Sequence, residues 1–201
     1  VEIEFGRFGE LLWLDFANTI RKRRNIEVDL LRDFHSLLQF LLEFGVITPA
    51  IQGTLQKAWG WAEQSRALVV AHSFRQTLRK LAIDLSRNHG IEFLPSELNE
   101  MLSFQSGYSS IVKTVTGYEL RQQRDITAPE HLLVPIAESV AWLLCTGDWK
   151  LVRICNNPEC GLFFYDTTKN HSRRWCSMLV CGNRSKVHAY LRRKDQSETR
   201  S

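Results

Sequence analysis

Four of the chain's five cysteines stand in two pairs of identical spacing, Cys155-x4-Cys160 and Cys176-x4-Cys181, with fifteen residues between the pairs. This constrains the fold more than any other feature of the 201 residues. A tetrahedral zinc ion needs four sulfurs from two tight turns, and a short intervening segment brings the turns together. Pro158 shapes the first turn and Gly161 follows its second cysteine, where backbone freedom is useful. The fifteen-residue span can form a hairpin with Phe163, Phe164 and Tyr165 on one arm and Trp175 on the other. The segment from Ser185 to Lys194 can then form a helix. Knuckle, hairpin and helix in that order predict a treble-clef-like zinc fold. With four thiolates and no open position, the ion is expected to be one structural Zn(2+) that activates no water.

The competing use of paired cysteines is two disulfides, which need an oxidising compartment. Residues 1–10 alternate charges and contain no apolar core, so no signal peptide is read there and a cytoplasmic protein is expected. The first residue is Val rather than Met, which suggests a trimmed sequence. The most apolar stretch, 132–145, contains Pro135 and Glu138 and is too short to span a bilayer. A unit of about 45 residues also lacks the core to fold without a staple. The fifth cysteine, Cys145, lies on an apolar helical pattern and is expected to be a buried packing residue. His171 and His188 lie near enough to substitute as ligands, but four thiols already fill the shell.

Charge divides along the same line as cysteine. The net charge of +4 combines −3 over residues 1–149 with +7 over residues 150–201. Four thiolates and one zinc ion lower the basic part to about +5. Lys169, Arg173, Arg174, Arg184, Lys186, Arg192, Arg193 and Lys194 are the candidate nucleic-acid-binding residues, since phosphate recognition needs several cations on one rigid surface. The alternative is that these cations solvate the small domain or serve the thiolates, with Arg184 donating to sulfur and Asn183 bracing the turn. The nearby rings, Phe163, Phe164, Tyr165 and Trp175, read as a miniature core rather than as stacking platforms. Arg21 to Arg24 is a second basic run, expected to be solvated surface.

Residues 1–149 read as mainly helical. Asp29 is a candidate N-cap for a helix with Leu30, Phe34, Leu37, Leu38 and Leu41 on one stripe, closed by Gly45. Thr48-Pro49 is a second start signal. Ala71, Phe74, Leu78, Leu81 and Leu85 mark a longer helix stopping at Gly90, and 95–104 reads as a short one. Tyr108 to Val115 and Tyr118 to Arg124 flank Thr116-Gly117 and predict a small β-hairpin. Helical periodicity returns at Leu133, Ile136, Val140 and Leu144 and ends near Gly147. The expected fold class is therefore mainly α with a small β-hairpin.

The order Arg153-Ile-Cys155, Cys160-Gly-Leu-Phe-Phe164, Asp166, Arg173-Arg-Trp-Cys-Ser-Met178 and Cys181-Gly-Asn-Arg184-Ser-Lys186 resembles the CGNR zinc finger, named for the tetrapeptide at Cys181 to Arg184. The segment Leu12 to Thr19 (LWLDFANT) is similar to the early part of the ABATE domain that precedes this finger. The resemblance implies a bacterial, stress-induced transcriptional regulator with zinc on the four cysteines. It gives the domain order as a helical ABATE-like domain over 1–149, a CGNR-type four-Cys finger over 150–194 and a polar tail over 195–201.

Residues 1–149 carry no Gly-rich phosphate loop, nucleophile elbow or paired-His motif, and no enzyme is expected. Asp15, Asn18 and Thr19 are spaced to share a helix face, and they line a ligand pocket or satisfy neighbouring backbone. The leading expectation is a zinc-containing, DNA-binding regulator whose helical domain senses a small-molecule effector or mediates assembly, a homo-oligomer being compatible with either. A protein-interaction module with a purely structural zinc finger is the alternative. RNA binding is a variant of the first reading, and an enzyme around Asp15 and Asn18 is a distant third.

Overall fold

The structure is a computed structural model that describes residues 5–23, 26–88, 95–187 and 191. Helices dominate; among the described residues two two-stranded antiparallel ribbons stand within 1–149, where one hairpin was expected, and a third lies in the cysteine segment. The chain forms two compact units: residues 31–75 with 92–147, and residues 1–30 and 76–91 with 148–201. These units group the chain differently from a sequence division at residue 149.

The first unit is built on the predicted helices. α2 (Phe34–Glu43) buries Phe34, Leu37, Leu38, Phe40 and Leu41. Its N-cap is Asp33, not Asp29. The Asp33 carboxylate accepts from the Ser36 N–H and the Ser36 hydroxyl accepts from the Asp33 N–H, a capping box that satisfies two orphan donors. Asp29 instead ends a β-ribbon, because Ile20–Arg23 (β1) pairs with Ile26–Asp29 (β2) and holds the chain extended up to it. Phe44 caps the C-terminus, with Gly45 just beyond at φ +72 as expected. Thr48 caps α3 (Pro49–Ala58) by accepting from the Ile51 N–H.

α4 (Trp61–Ser86) buries Ala67, Ala71 and Phe74 in its first half. α5 (Pro95–Ser103) packs against α6 (Val134–Thr146), which buries Val134, Ile136, Ala137, Val140 and Leu143. Cys145 lies on the exposed side of α6, correcting the expectation of a packed thiol; Leu143, two positions earlier, is the buried residue there. The predicted hairpin forms as β3 (Tyr108–Thr114) and β4 (Gly117–Gln123). Gly90, His89 and Arg24 lie outside the described residues.

The second unit holds the cysteines. α1 (Leu12–Ala17) buries Trp13, Leu14, Phe16 and Ala17, and the latter part of α4 buries Leu78, Leu81, Ala82 and Leu85. Arg79 reaches from α4 to the carbonyl of Ala17, occupying an orphan acceptor at the end of α1, and its guanidinium lies over the Phe163 ring. β5 (Val152–Ile154) pairs with β6 (Phe163–Tyr165), so the hairpin closes across the first cysteine turn. The expected pairing of Phe163–Tyr165 with the Trp175 arm does not form. The first knuckle folds the chain back directly, which puts residues 152–154 beside 163–165.

Among the described residues, no helix is long and apolar enough to cross a membrane.

Candidate metal centre

β5 leads directly into Cys155, whose N–H donates to the Leu162 carbonyl and continues the ribbon into the turn. Within that turn the Asn157 side-chain oxygen accepts from the Glu159 N–H at 3.1 Å, and the Cys160 N–H donates to the Asn157 carbonyl. The second pair is set by a wide turn over Met178–Gly182, in which the Cys181 and Gly182 N–H groups both donate to Ser177 O. The Ser177 hydroxyl accepts from the Val180 N–H at its start. A Cβ on Gly182 would sit 2.4 Å from the Met178 sulfur, so that flexible side chain would have to shift. The Asn156 N–H donates to Arg174 O and ties the two turns together.

This brings all four Sγ atoms within 4.8 Å of one another, with Cys160 to Cys176 at 3.5 Å and Cys176 to Cys181 at 3.7 Å. A disulfide needs about 2.05 Å. Tetrahedral zinc with Zn–S bonds of about 2.3 Å puts its sulfurs about 3.8 Å apart, close to the spacing found. Cys155, Cys176 and Cys181 are buried, and Leu162 and Phe164 form an apolar core with them, against which Phe8, Cys160 and Trp175 pack. Of the four rings expected in this small core, Phe164 and Trp175 serve it, joined by Phe8.

The electrostatics of the site call for a cation. Hydrogen bonds from Cys160 and Cys176 hold the Cys155 thiol down to about 2. The same interaction with Cys155 pushes Cys160 up to about 12 and raises Cys176 as well. The Cys155 thiolate forms readily, and those of Cys160 and Cys176 are opposed by it. A divalent ion removes that opposition because it binds all four sulfurs in their deprotonated form. The four cysteines are positioned to hold one structural zinc ion.

The predicted basic residues fall into three groups. Arg173 is committed within the fold: its guanidinium donates to Trp175 O at 3.1 Å, Cys176 O at 2.6 Å and Glu10 at 2.9 Å, and stacks over Phe164. Its own N–H donates to Asp166, whose fully buried carboxylate also accepts from Thr168. Lys169, Arg174, Arg184 and Lys186 are exposed. Arg184 lies 3.8 Å from Glu159 rather than on a sulfur, and Asn183 braces its turn by donating to Leu179 O. Arg192, Arg193, Lys194 and His188 lie outside the described residues, whereas His171 is exposed and apart from the thiol cluster.

The polar trio near the start is buried and engaged with backbone. α1 ends at Ala17, so Asn18 is its C-cap and Thr19 lies beyond the helix rather than on a shared helical face. Asn18 accepts from the Phe163 N–H at 2.9 Å and donates to the Phe163 carbonyl at 2.8 Å. The Thr19 hydroxyl donates to Phe16 O. Asp15 accepts from the N–H groups of Phe8 and Gly9 at 2.8 and 2.7 Å, and a Cβ on Gly9 would meet the Asp15 N–H nitrogen at 2.7 Å. The bridging roles of Asp15, Asn18 and Arg173 had no local sequence signal beyond unusual polarity in apolar surroundings.

Burial raises the Asp15 carboxyl to about 6, against the two N–H donors and Arg7, which favour its charge. A folded-state pKa above the unfolded one favours folding at low pH, and that contribution is lost as pH rises from 3.8 through about 6. Asp15→Asn keeps an acceptor for both N–H groups and removes the titration. Relative to wild type, the variant is expected to gain up to about 3 kcal/mol above pH 6 and nothing below pH 4, by urea unfolding across pH. An advantage constant across pH would place the titration elsewhere.

Two family models match the chain. One is the CGNR zinc finger, over residues 152–194. The other is ABATE, described as "Putative stress-induced transcription regulator", over residues 10–147. No curated protein matches it.

Proposed function

Since the chain belongs to the ABATE family and carries a CGNR zinc finger, we propose that it is a non-catalytic, cytoplasmic transcription regulator whose zinc unit contacts DNA. The observation that carries this reading is the set of exposed cations: Arg174, Arg184 and Lys186 beside the cysteines of one four-sulfur centre, and Lys169 in the loop between the two pairs. A metal-stapled turn holds such cations at fixed spacing, which phosphate recognition rewards. The Arg184–Glu159 contact is long and half-exposed on both sides, so phosphate can replace the carboxylate at little cost. Ribbon, wide turn and the helical residues 183–187 that follow are read as treble-clef-like.

For the helical domain, effector sensing is the proposed role. A cleft of about 470 Å³ lined by Ile51, Leu55, Ile126, Arg124 and Asp125, among others, offers an apolar wall with one carboxylate and one cation, the latter paired with Glu138.

Titration of the zinc-loaded protein with duplex DNA at several salt concentrations tests the reading. If five or six cations touch phosphates, log affinity should fall with log salt at a slope of about −5. Arg184→Glu with Lys186→Glu should reduce that slope by about 2. Unmeasurable binding at low salt, with zinc loaded, would exclude DNA as the partner.

A protein-docking module is favoured by a different observation. Met178, Leu179, Val180 and Val187 are 55%, 82%, 51% and 56% exposed on the same turn and helix. Docking through these residues should survive the Arg184→Glu and Lys186→Glu reversal that weakens DNA binding.

A further inference from the structure

We infer that the first zinc knuckle carries a base-binding cleft, taking an unpaired nucleobase and its flanking phosphate from a single-stranded or locally opened nucleic acid. The inference rests on the nucleic-acid reading above and adds the mode of recognition.

A cleft of about 370 Å³ opens beside the metal centre, lined by Asn157, Pro158, Glu159, Arg174, Trp175 and Ser185 among others. That volume lies within the range of small-molecule sites. Its walls are apolar at Trp175 and Pro158, and a flat aromatic ring in such a slot is protected from water on both faces. Trp175 is pinned, because its indole N–H donates to the Ser185 hydroxyl at 3.1 Å. A platform held at its edge loses little freedom when a base stacks on it.

The polar groups of the cleft suit the edge of a base. Asn157 is 4% exposed, and its side-chain oxygen is fixed by the Glu159 N–H, which sets the direction of the amide. Its Nδ2 group has no hydrogen-bond partner among the described residues. A buried donor left unpaired is costly, and a base carbonyl or ring nitrogen that reached it would supply the missing acceptor. Glu159, on the same wall, accepts from an exocyclic amine, so the cleft offers both a donor and an acceptor.

Arg174 completes the match. It is exposed, and its guanidinium lies over the Trp175 ring at 5.4 Å from the ring centre. From there it can extend the stack or turn outward to the phosphate that accompanies the base. Duplex DNA cannot fill this slot while its bases are paired, so stacking in the cleft is distinguishable from phosphate contact by the exposed cations.

Nuclear magnetic resonance titration of the zinc-loaded full chain tests the inference, following the Trp175 indole and Asn157 side-chain amide signals. The probes are a short mixed-sequence deoxyoligonucleotide, the same strand with abasic residues, the corresponding duplex, and a nucleoside monophosphate. The base-containing strand should shift both signals and bind about tenfold tighter than the abasic strand. Arg174→Ala, an exposed change that leaves the core intact, should narrow that difference.

Equal affinity for both strands, with the two signals unmoved while the duplex still binds, would overturn the cleft and leave the DNA reading standing. Failure of every nucleic acid to bind would overturn both. Nucleoside monophosphate that moves the signals as strongly as the strand would make a free nucleotide the occupant and overturn the strand.

Discussion

Replacing Cys176 by Ser is expected to strip the protein of its metal and to unfold the segment from Cys155 to Val187. The Cys176 sulfur lies 3.5 Å from that of Cys160 and 3.7 Å from that of Cys181, and it is buried within the core those sulfurs share with Leu162 and Phe164. That core is too small to persist without its staple. Binding of structural zinc in comparable units is worth roughly 10–16 kcal/mol, and this free energy is also their folding free energy. The loss should spread to the start of the chain within the same compact unit, because Phe8 packs on the cluster and the Tyr165 N–H donates to Gly9 O. Metal analysis should fall from about one zinc per chain to none. Amide exchange should become fast across 155–187, including at Tyr165, whose N–H donates to Gly9 O. Full metal content with unchanged protection would rule out a centre made of these four cysteines.

Asn18→Ala is expected to cost about 3 kcal/mol while leaving the metal in place. Alternate residues of a ribbon direct their backbone groups to opposite edges, and those of Phe163 face away from β5. Asn18 satisfies both of them, the N–H with its oxygen and the carbonyl with its amide. Asn18 and Phe163 are each 1% exposed, so water cannot replace the lost partner. Removing a side chain from one partner leaves two buried main-chain groups unpaired, the expensive way to break a hydrogen bond. Urea unfolding of the zinc-loaded variant measures the cost. A change below about 1 kcal/mol would mean that the backbone of β6 is satisfied in some other way.

These two residues mark the boundary of what a single sequence can express. The metal centre is legible because chelation is encoded locally: each turn supplies two sulfurs, and spacing alone announces it. The helices are legible for the same reason, since the stripe through Phe34, Leu37, Leu38 and Leu41 and the Thr48-Pro49 start depend on neighbours a turn away. Even so, a single helix start was misplaced, because Asp29 and Asp33 are equally good caps in isolation. Pairing of Ile20–Arg23 with Ile26–Asp29 decides between them.

The sequence by itself determined a helical chain, a four-thiol centre fit for one structural zinc ion, and the segregation of positive charge around it. Only the tertiary structure decided that β6 pairs with β5, and that Arg173 binds carbonyls and Glu10 while Arg174 and Arg184 stay exposed. It also decided that Asp15 and Asn18 satisfy buried backbone. The reason is physical. A backbone N–H or carbonyl is the same at every position, so a side chain that serves one 145 positions away leaves no mark on the residues between them. Such partners become visible only when the fold has brought them together.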